Sequence, residues 1–182
     1  MKKLIAAACG LAFFALSCHN SDSDQPASPV ADSASTPSRQ DSDFMVKAAS
    51  GGMLEVQLGK LAQTNGGSQA VKDFGAMMIR DHSNGGEELR SLAGARRLVI
   101  PDSISDEQRK ERDNLEKKTG KNFDKAYIDL MVQDHKEDID EFDQASKNAN
   151  DPGIKAFAAK AVPMLRMHLD SAQTLQQRTK RR

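Results

Sequence analysis

Met77-Met78-Ile79-Arg80-Asp81-His82-Ser83 lies inside a run whose apolar residues return at three- and four-residue steps. Val71, Phe74, Met78, His82, Gly85, Leu89 and Leu92 share one face of a helix at that spacing. The face is apolar except for one histidine, placed mid-helix, with a methionine one turn before it. The same Met-x-x-x-His spacing occurs as Met78/His82, Met131/His135 and Met164/His168. The fourth histidine of the chain, His19, is far from these three in sequence.

Three more stretches carry the same helical period. The first begins near Asp41-Ser42-Asp43, good N-cap residues, and runs through Phe44, Ala48, Gly51, Glu55, Leu58 and Ala62. Asn65-Gly66-Gly67 predicts a left-handed C-terminal cap there. Ser68 caps the helix that contains His82. The third long helix is expected from about Asn122 to Lys147, with Phe123, Tyr127, Leu130, Met131, His135, Asp138, Ile139, Phe142 and Ala145 on its face. The fourth has Asp151 as N-cap and Pro152 at its first position, where a missing N–H costs nothing. Ile154, Phe157, Ala161, Leu165, His168, Leu169, Ala172 and Leu175 form its face. Between the second and third, Ser105 and Gln108 have capping-box spacing and open a short charged helix reaching Lys118. Four long amphipathic helices with one long second connection predict an all-α fold. It is a ferritin-like four-helix bundle with a short extra helix in the crossover.

The chain has 182 residues, a one-domain length, with 26 basic against 26 acidic residues. There is no basic excess for nucleic acid, no Trp and only one Tyr to stack on bases. Residues 1–17 read as a lipoprotein signal peptide: Lys2 and Lys3, an apolar run from Leu4 to Leu16, then Ala15-Leu16-Ser17-Cys18, which resembles a bacterial lipobox. The apolar run is too short for an ordinary spanning helix. Cleavage removes Cys9 and leaves Cys18 as the one cysteine, so lipidation there is expected and a disulfide framework is not. Residues 18–40 are then a lipid-bearing Cys and a Ser/Asp/Pro/Ala tether. Residues 41–178 form the bundle and 179–182 a basic tail. The expected place is the cell envelope, anchored by lipid to the outer membrane, facing periplasm or surface. The membrane is the one partner this names.

Each long helix carries one polar residue on its apolar face near its middle: Glu55, His82, His135 and His168. Mid-helix positions keep the same height whichever way a helix runs, so the four are expected in one layer. Three imidazoles and a carboxylate suit Zn, Cu or Fe. Met78, Met131 and Met164 lie at i−4 on the same faces, and thioethers favour copper. Asp81, Asp134 and Asp138 are candidates for orienting the histidines. The Glu-x-x-His spacing of di-iron bundles is absent, since Ile79, Val132 and Leu165 stand three before the histidines. Methionine is also an ordinary core filler. A metal-free layer that is a hydrogen-bond network, in a structural or protein-interaction lipoprotein, remains the alternative. No nucleophile elbow or phosphate loop is present, so nucleophilic catalysis has no support; a redox enzyme, which needs an open coordination position, is the least favoured of three readings. Gly85-Gly86 in mid-helix costs about 1 kcal/mol per glycine against alanine. A close helix–helix approach and room beside the site are both open as its reason.

These residues carry a resemblance to the bacterial family named domain of unknown function 4142, often labelled an outer-membrane protein. The matching stretches are Asp43-Phe44, Ala48-Ala49-Ser50-Gly51-Gly52, Glu55 and Leu58-Gly59-Lys60-Leu61-Ala62, then Val71-Lys72-Asp73-Phe74-Gly75 and Met78 to Ser83. They continue in Phe123 to Tyr127, Met131-Val132, Asp134-His135, Phe157-Ala158, Pro163 and His168-Leu169. The resemblance implies a ferritin-like bundle in the cell envelope and brings no established reaction. A related bundle family includes Met- and His-rich copper binders, an analogy for copper here.

Overall fold

The computed structural model describes residues 37–180; the expected signal peptide, the Cys18 expected to carry lipid and nearly all of the expected tether lie outside them. Five helices make up the described chain: α1 (Arg39–Asn65), α2 (Gln69–Ala95), α3 (Asp106–Glu116), α4 (Gly120–Asn148) and α5 (Pro152–Lys180). No helix among the described residues is long and apolar enough to cross a membrane.

Local signals place most of the ends. Ser68 accepts from the Val71 N–H, and Ser105 with Gln108 closes a capping box. Asp151 Oδ1 accepts from the N–H groups of Gly153 and Ile154 at 2.8 and 3.0 Å, capping α5 just before Pro152. Two ends differ from the sequence expectation. α1 starts earlier, because Ser38 is its N-cap and Asp41 is the third residue of its first turn, the two forming a capping box. Gly66 ends α1 at φ −60°, not in the left-handed region. Its smallness is used for packing, since a Cβ there would meet the Ala62 carbonyl oxygen at 2.5 Å. The left-handed glycine is Gly120, at φ 57°, where the chain enters α4. α5 also continues through Thr179 and Lys180, two residues into the expected tail.

The long-range bonds set the direction of each helix. The end of α1 lies beside the start of α4: Gly66 bridges Gly120, and Asn65 Nδ2 donates to the carbonyls of Glu116 and Lys118 at 2.9 and 3.0 Å. The start of α1 and the end of α2 lie at the opposite end, beside the α4–α5 turn. There Asp41 accepts from the Asn150 and Asp151 N–H groups at 3.0 and 3.1 Å, and Arg96 pairs with Asp151 at 3.0 Å. The order is therefore up, down, down, up, and residues 96–119 climb the full bundle as the crossover. α1 packs on α2 and α4, and α5 packs on α4 and α2. Ile104 and Leu115 pin the crossover to the core, and α3 is tied to α1 by Ser50–Gln108 and Gln57–Arg112 hydrogen bonds.

Asp41 is 1 % exposed and serves three backbone donors, those of Ser38, Asn150 and Asp151. Removing it strands N–H groups at the joint of α1 with the α4–α5 turn. Asp41→Ala is therefore expected to lower stability by about 3 kcal/mol, measured by urea unfolding.

The apolar core falls into two clusters. One holds Leu54, Leu58, Phe74, Met78, Phe123, Tyr127 and Met131 with their neighbours. The other holds Phe44, Met45, Leu89, Ile154 and Ala158. Each fully buried large side chain contributes about 1.5–3 kcal/mol. Along every long helix the polar residue of interest lies between members of the two clusters: His82 follows Met78 and precedes Leu89, and Glu55 follows Ala49 and precedes Leu58.

Candidate metal centre

The helix order brings Glu55, His82, His135 and His168 together in one buried layer. His135 and His168 are fully buried, Glu55 is 3 % and His82 8 % exposed. The ring centroids of the three histidines are 5.3 to 5.8 Å apart. One nitrogen from each ring lies within 4.8 Å of the other two, a spacing that could hold a metal ion.

The hydrogen bonds around the rings assign their tautomers. His135 Nδ1 is 3.0 Å from the Met131 carbonyl, which can only accept, so this nitrogen carries the proton. His168 Nε2 is 3.0 Å from the Asp81 carboxylate and carries its proton likewise. His82 Nδ1 donates to Glu55 Oε2 at 2.9 Å. On His135 and His168 the nitrogen left over is a lone pair, and these two, His135 Nε2 and His168 Nδ1, face each other at 3.3 Å. The remaining nitrogen of the third ring, His82 Nε2, is buried without a partner.

Burial lowers His135, with Glu55 offsetting only part of it, and holds His168 at about 4 despite its bond to Asp81. Neither ring therefore carries a second proton near neutrality that could fill the 3.3 Å contact. Burial also works against charge on Glu55, but the charges of His82 and His135 and the hydrogen bond from His82 outweigh it and hold the carboxyl at about 2. His82 shows the converse: burial would lower it, and Glu55 raises it above its usual value.

Glu55 was expected to face the centre as a fourth ligand. Its oxygens instead lie against the Nδ1 side of two rings, 2.9 Å from His82 and 3.4 Å from His135. The His135 Nδ1 proton goes to the Met131 carbonyl, and Glu55 is the acceptor for His82. Asp81 of α2 accepts from His168 likewise, and is itself held by Arg80 at 2.7 Å; Arg80 and His168 together outweigh burial and keep its carboxyl low. Asp134 has one buried oxygen without a partner, and burial with the charges of Glu55, Glu111 and Glu137 pushes it up to about 8. Burial raises Asp138 as well. Neither is bonded to a histidine of the layer. Met78 and Met131 are fully buried among apolar side chains, and Met131 serves His135 through its carbonyl, which any residue at that position would supply. Met164 lines the cavity beside the layer.

Two features were not anticipated. The Tyr127 hydroxyl is buried without a partner, and burial together with the Glu55 charge raises it strongly. Its place on the apolar face gave no sign of this. Among the described residues, four buried side-chain polar atoms lack a hydrogen-bond partner: Glu55 Oε1, His82 Nε2, Tyr127 Oη and Asp134 Oδ2. All belong to Glu55 or to residues that feel its charge.

The other feature is a cavity of about 590 Å³ that opens onto Glu55 and His82. Gly51 and Gly52 of α1 and Gly85 and Gly86 of α2 line it. A Cβ at Gly51 or Gly85 would meet nothing within 4 Å, and at Gly52 or Gly86 only ordinary contacts at 3.8 to 3.9 Å. Room beside the site, and not a close helix approach, is thus the setting of Gly85-Gly86. Close approach is found elsewhere, at Gly59 and Gly75, where a Cβ would meet the opposite carbonyl at 2.8 and 2.9 Å. Gly51→Ala and Gly85→Ala are each expected to raise stability by about 0.5–1 kcal/mol, seen as an increase in Tm.

A family model described as a domain of unknown function, DUF4142, matches residues 26–175. A solved crystal structure of a DUF305 fragment from Deinococcus radiodurans superposes with a TM-score of 0.70 at 12% identity, covering 79% of this chain and 99% of that one. That likeness is one of fold. No curated protein matches the chain.

Proposed function

We propose, from the premise that the chain belongs to the DUF4142 family, that its bundle binds one transition metal ion through His82, His135 and His168. The observation that supports this best is the contact between His135 Nε2 and His168 Nδ1, 3.3 Å apart with both protons committed elsewhere. Two lone pairs face each other there, and a shared cation relieves the repulsion. An ion about 2.05 Å from both nitrogens would see them at about 107°, near the tetrahedral angle. His82 Nε2 supplies a third donor after a small inward shift. Glu55, the Met131 carbonyl and Asp81 orient the three rings, as outer partners do in histidine metal sites. Nitrogen donors admit copper, zinc and iron; Met164 on the cavity wall favours copper. On this reading the chain is a lipoprotein of the cell envelope, held at the outer membrane through Cys18 and the 18–40 tether. Cys18→Ala is the variant that tests the anchor, by release of the protein from the membrane fraction.

One observation favours a second reading. Each of the three histidines in the layer already has one good hydrogen bond, so the layer works as a register-setting network without an ion. The two readings differ in their response to pH. Metal must displace a proton from His82, whose pKa is above its usual 6.5 in the metal-free state. Affinity is therefore expected to fall by about tenfold for each pH unit below that value. The slope doubles below about 4, where His168 also takes up a proton. Calorimetry across this range, with proton release counted, checks it. A pH-independent weak uptake would point to surface carboxylates instead.

A further inference from the structure

The cavity beside the layer needs its own explanation. Its four glycines stand in helix interiors, two on each of the facing helices α1 and α2, and none of them is required by packing. What they keep is an open volume of about 590 Å³, within the range of small-molecule sites. Three helices give this volume the same gradient. Glu55 of α1, His82 of α2 and Asp138 of α4 wall the end nearer the layer. One or two turns further along the same helices the wall is Ala48, Leu89 and Phe142. Phe142 follows Asp138 by one turn, about 6 Å along α4. Its ring centroid lies 6.1 Å from that of Phe157 of α5, and both rings are only partly buried and line the cavity.

Charge at the polar end is unbalanced. Two carboxyls stand there, and His82 answers one of them, Glu55, at 2.9 Å. Asp138 has no hydrogen bond or ion pair among the described residues. Burial, and after it the Glu55 charge, works against its ionisation. The basic side chains on the cavity wall, Lys60, Arg90 and Lys160, are exposed, and Lys160 is paired with Glu88 at 2.7 Å. None of them pairs with Asp138. The polar end is thus one cation short, and a bare metal ion would leave the apolar end uncovered. We infer that the glycine-walled cavity binds a small organic amine in its protonated form, with the ammonium group on Asp138 beside Glu55 and an apolar, one-ring body against Phe142 and Phe157. A ligand so held gains affinity twice, from a charge-assisted hydrogen bond and from burial of its ring. This does not rest on the metal reading, because the amine meets carboxyls that border the cavity and none of the ring nitrogens.

The test titrates phenethylamine, 2-phenylethanol and methylamine by calorimetry into full-length protein, both as purified and after treatment with a chelator. The alcohol keeps the shape without the charge, and methylamine keeps the charge without the ring. Phenethylamine is expected to bind at least about tenfold tighter than either, since each control lacks the buried ion pair or the buried ring. Chelator treatment is expected to leave that order unchanged. Asp138→Asn is expected to abolish the preference for the amine over the alcohol. Gly85→Leu, and independently Gly51→Leu, are expected to abolish the preference for phenethylamine over methylamine, with helix content by circular dichroism unchanged. Equal affinity for phenethylamine and either control overturns the inference, as does no binding of phenethylamine. A preference for the amine that survives in folded Asp138→Asn protein overturns it too. So does binding that is lost with the metal, since the head would then sit on the ion and not on the carboxyls.

Discussion

Replacing His135 by alanine is expected to lower metal affinity by more than about a hundredfold, beyond the 10–100-fold that loss of an orienting partner costs. His135 is the ring with the least freedom to be replaced. It is fully buried, its Nδ1–H is fixed on the Met131 carbonyl, and its Nε2 is the lone pair that faces His168 at 3.3 Å. Removing it takes away one of the two donors that face each other. The metal-free protein is expected to respond differently. The lone-pair contact is unfavourable without an ion, so part of the cost of the cavity left by alanine is offset. A volume-conserving His135→Leu is expected to keep the fold, as when buried polar groups give way to apolar ones of similar size. Metal titration and urea unfolding of the two variants separate these effects.

Glu55→Ala is expected to be the most destabilising change in the layer, by about 3–5 kcal/mol in the metal-free protein, because it breaks a buried pair and leaves one partner behind. Glu55 is 3 % exposed and meets His82 at 2.9 Å. Without the carboxylate, burial is left to dominate at His82 and its pKa should fall below the usual value. Glu55→Gln keeps an acceptor for the His82 Nδ1–H and removes the charge. It is expected to cost less stability and still weaken metal binding by about 10–100-fold, through ring orientation and donor strength. Urea unfolding and NMR titration of His82 in the two variants check this pair. A Glu55→Ala protein as stable as the wild type would show that the carboxylate is not the hub the geometry makes it.

Much of the architecture was legible because its causes are local. Helical spacing of apolar residues, the caps at Ser68, Ser105 and Asp151, and Pro152 at a first position all act within one or two turns. The three histidines were placed in one layer from their mid-helix positions alone, which needs only that the helices be of similar length. The roles inside the layer were less legible. Whether Glu55 meets the inner or outer nitrogens of the rings depends on ring rotation, which no spacing reports. Asp81 points about 100° away from its neighbour His82. It still reaches a histidine, because α5 packs beside α2 and brings His168 within 3.0 Å. Asp41 was read as a cap and is instead a buried staple for the α4–α5 turn, more than a hundred residues away in sequence. The glycines show the same limit. Gly59 and Gly75 pack backbone to backbone, while Gly51 and Gly85 face open space, and only the neighbouring helix distinguishes the two uses.

The unpartnered His82 Nε2 and the facing lone pairs of His135 and His168 converge on one quantity, the number of metal ions the protein holds. Tagless protein, loaded separately with copper, zinc and iron salts and then desalted, is measured by elemental analysis against protein concentration. The account predicts close to one ion per chain for at least one of the three metals, and none when His82, His135 and His168 are all replaced by leucine. No metal above the level of the triple variant, with no shift in Tm on addition of any of the three, would contradict it and leave the layer as a hydrogen-bond network.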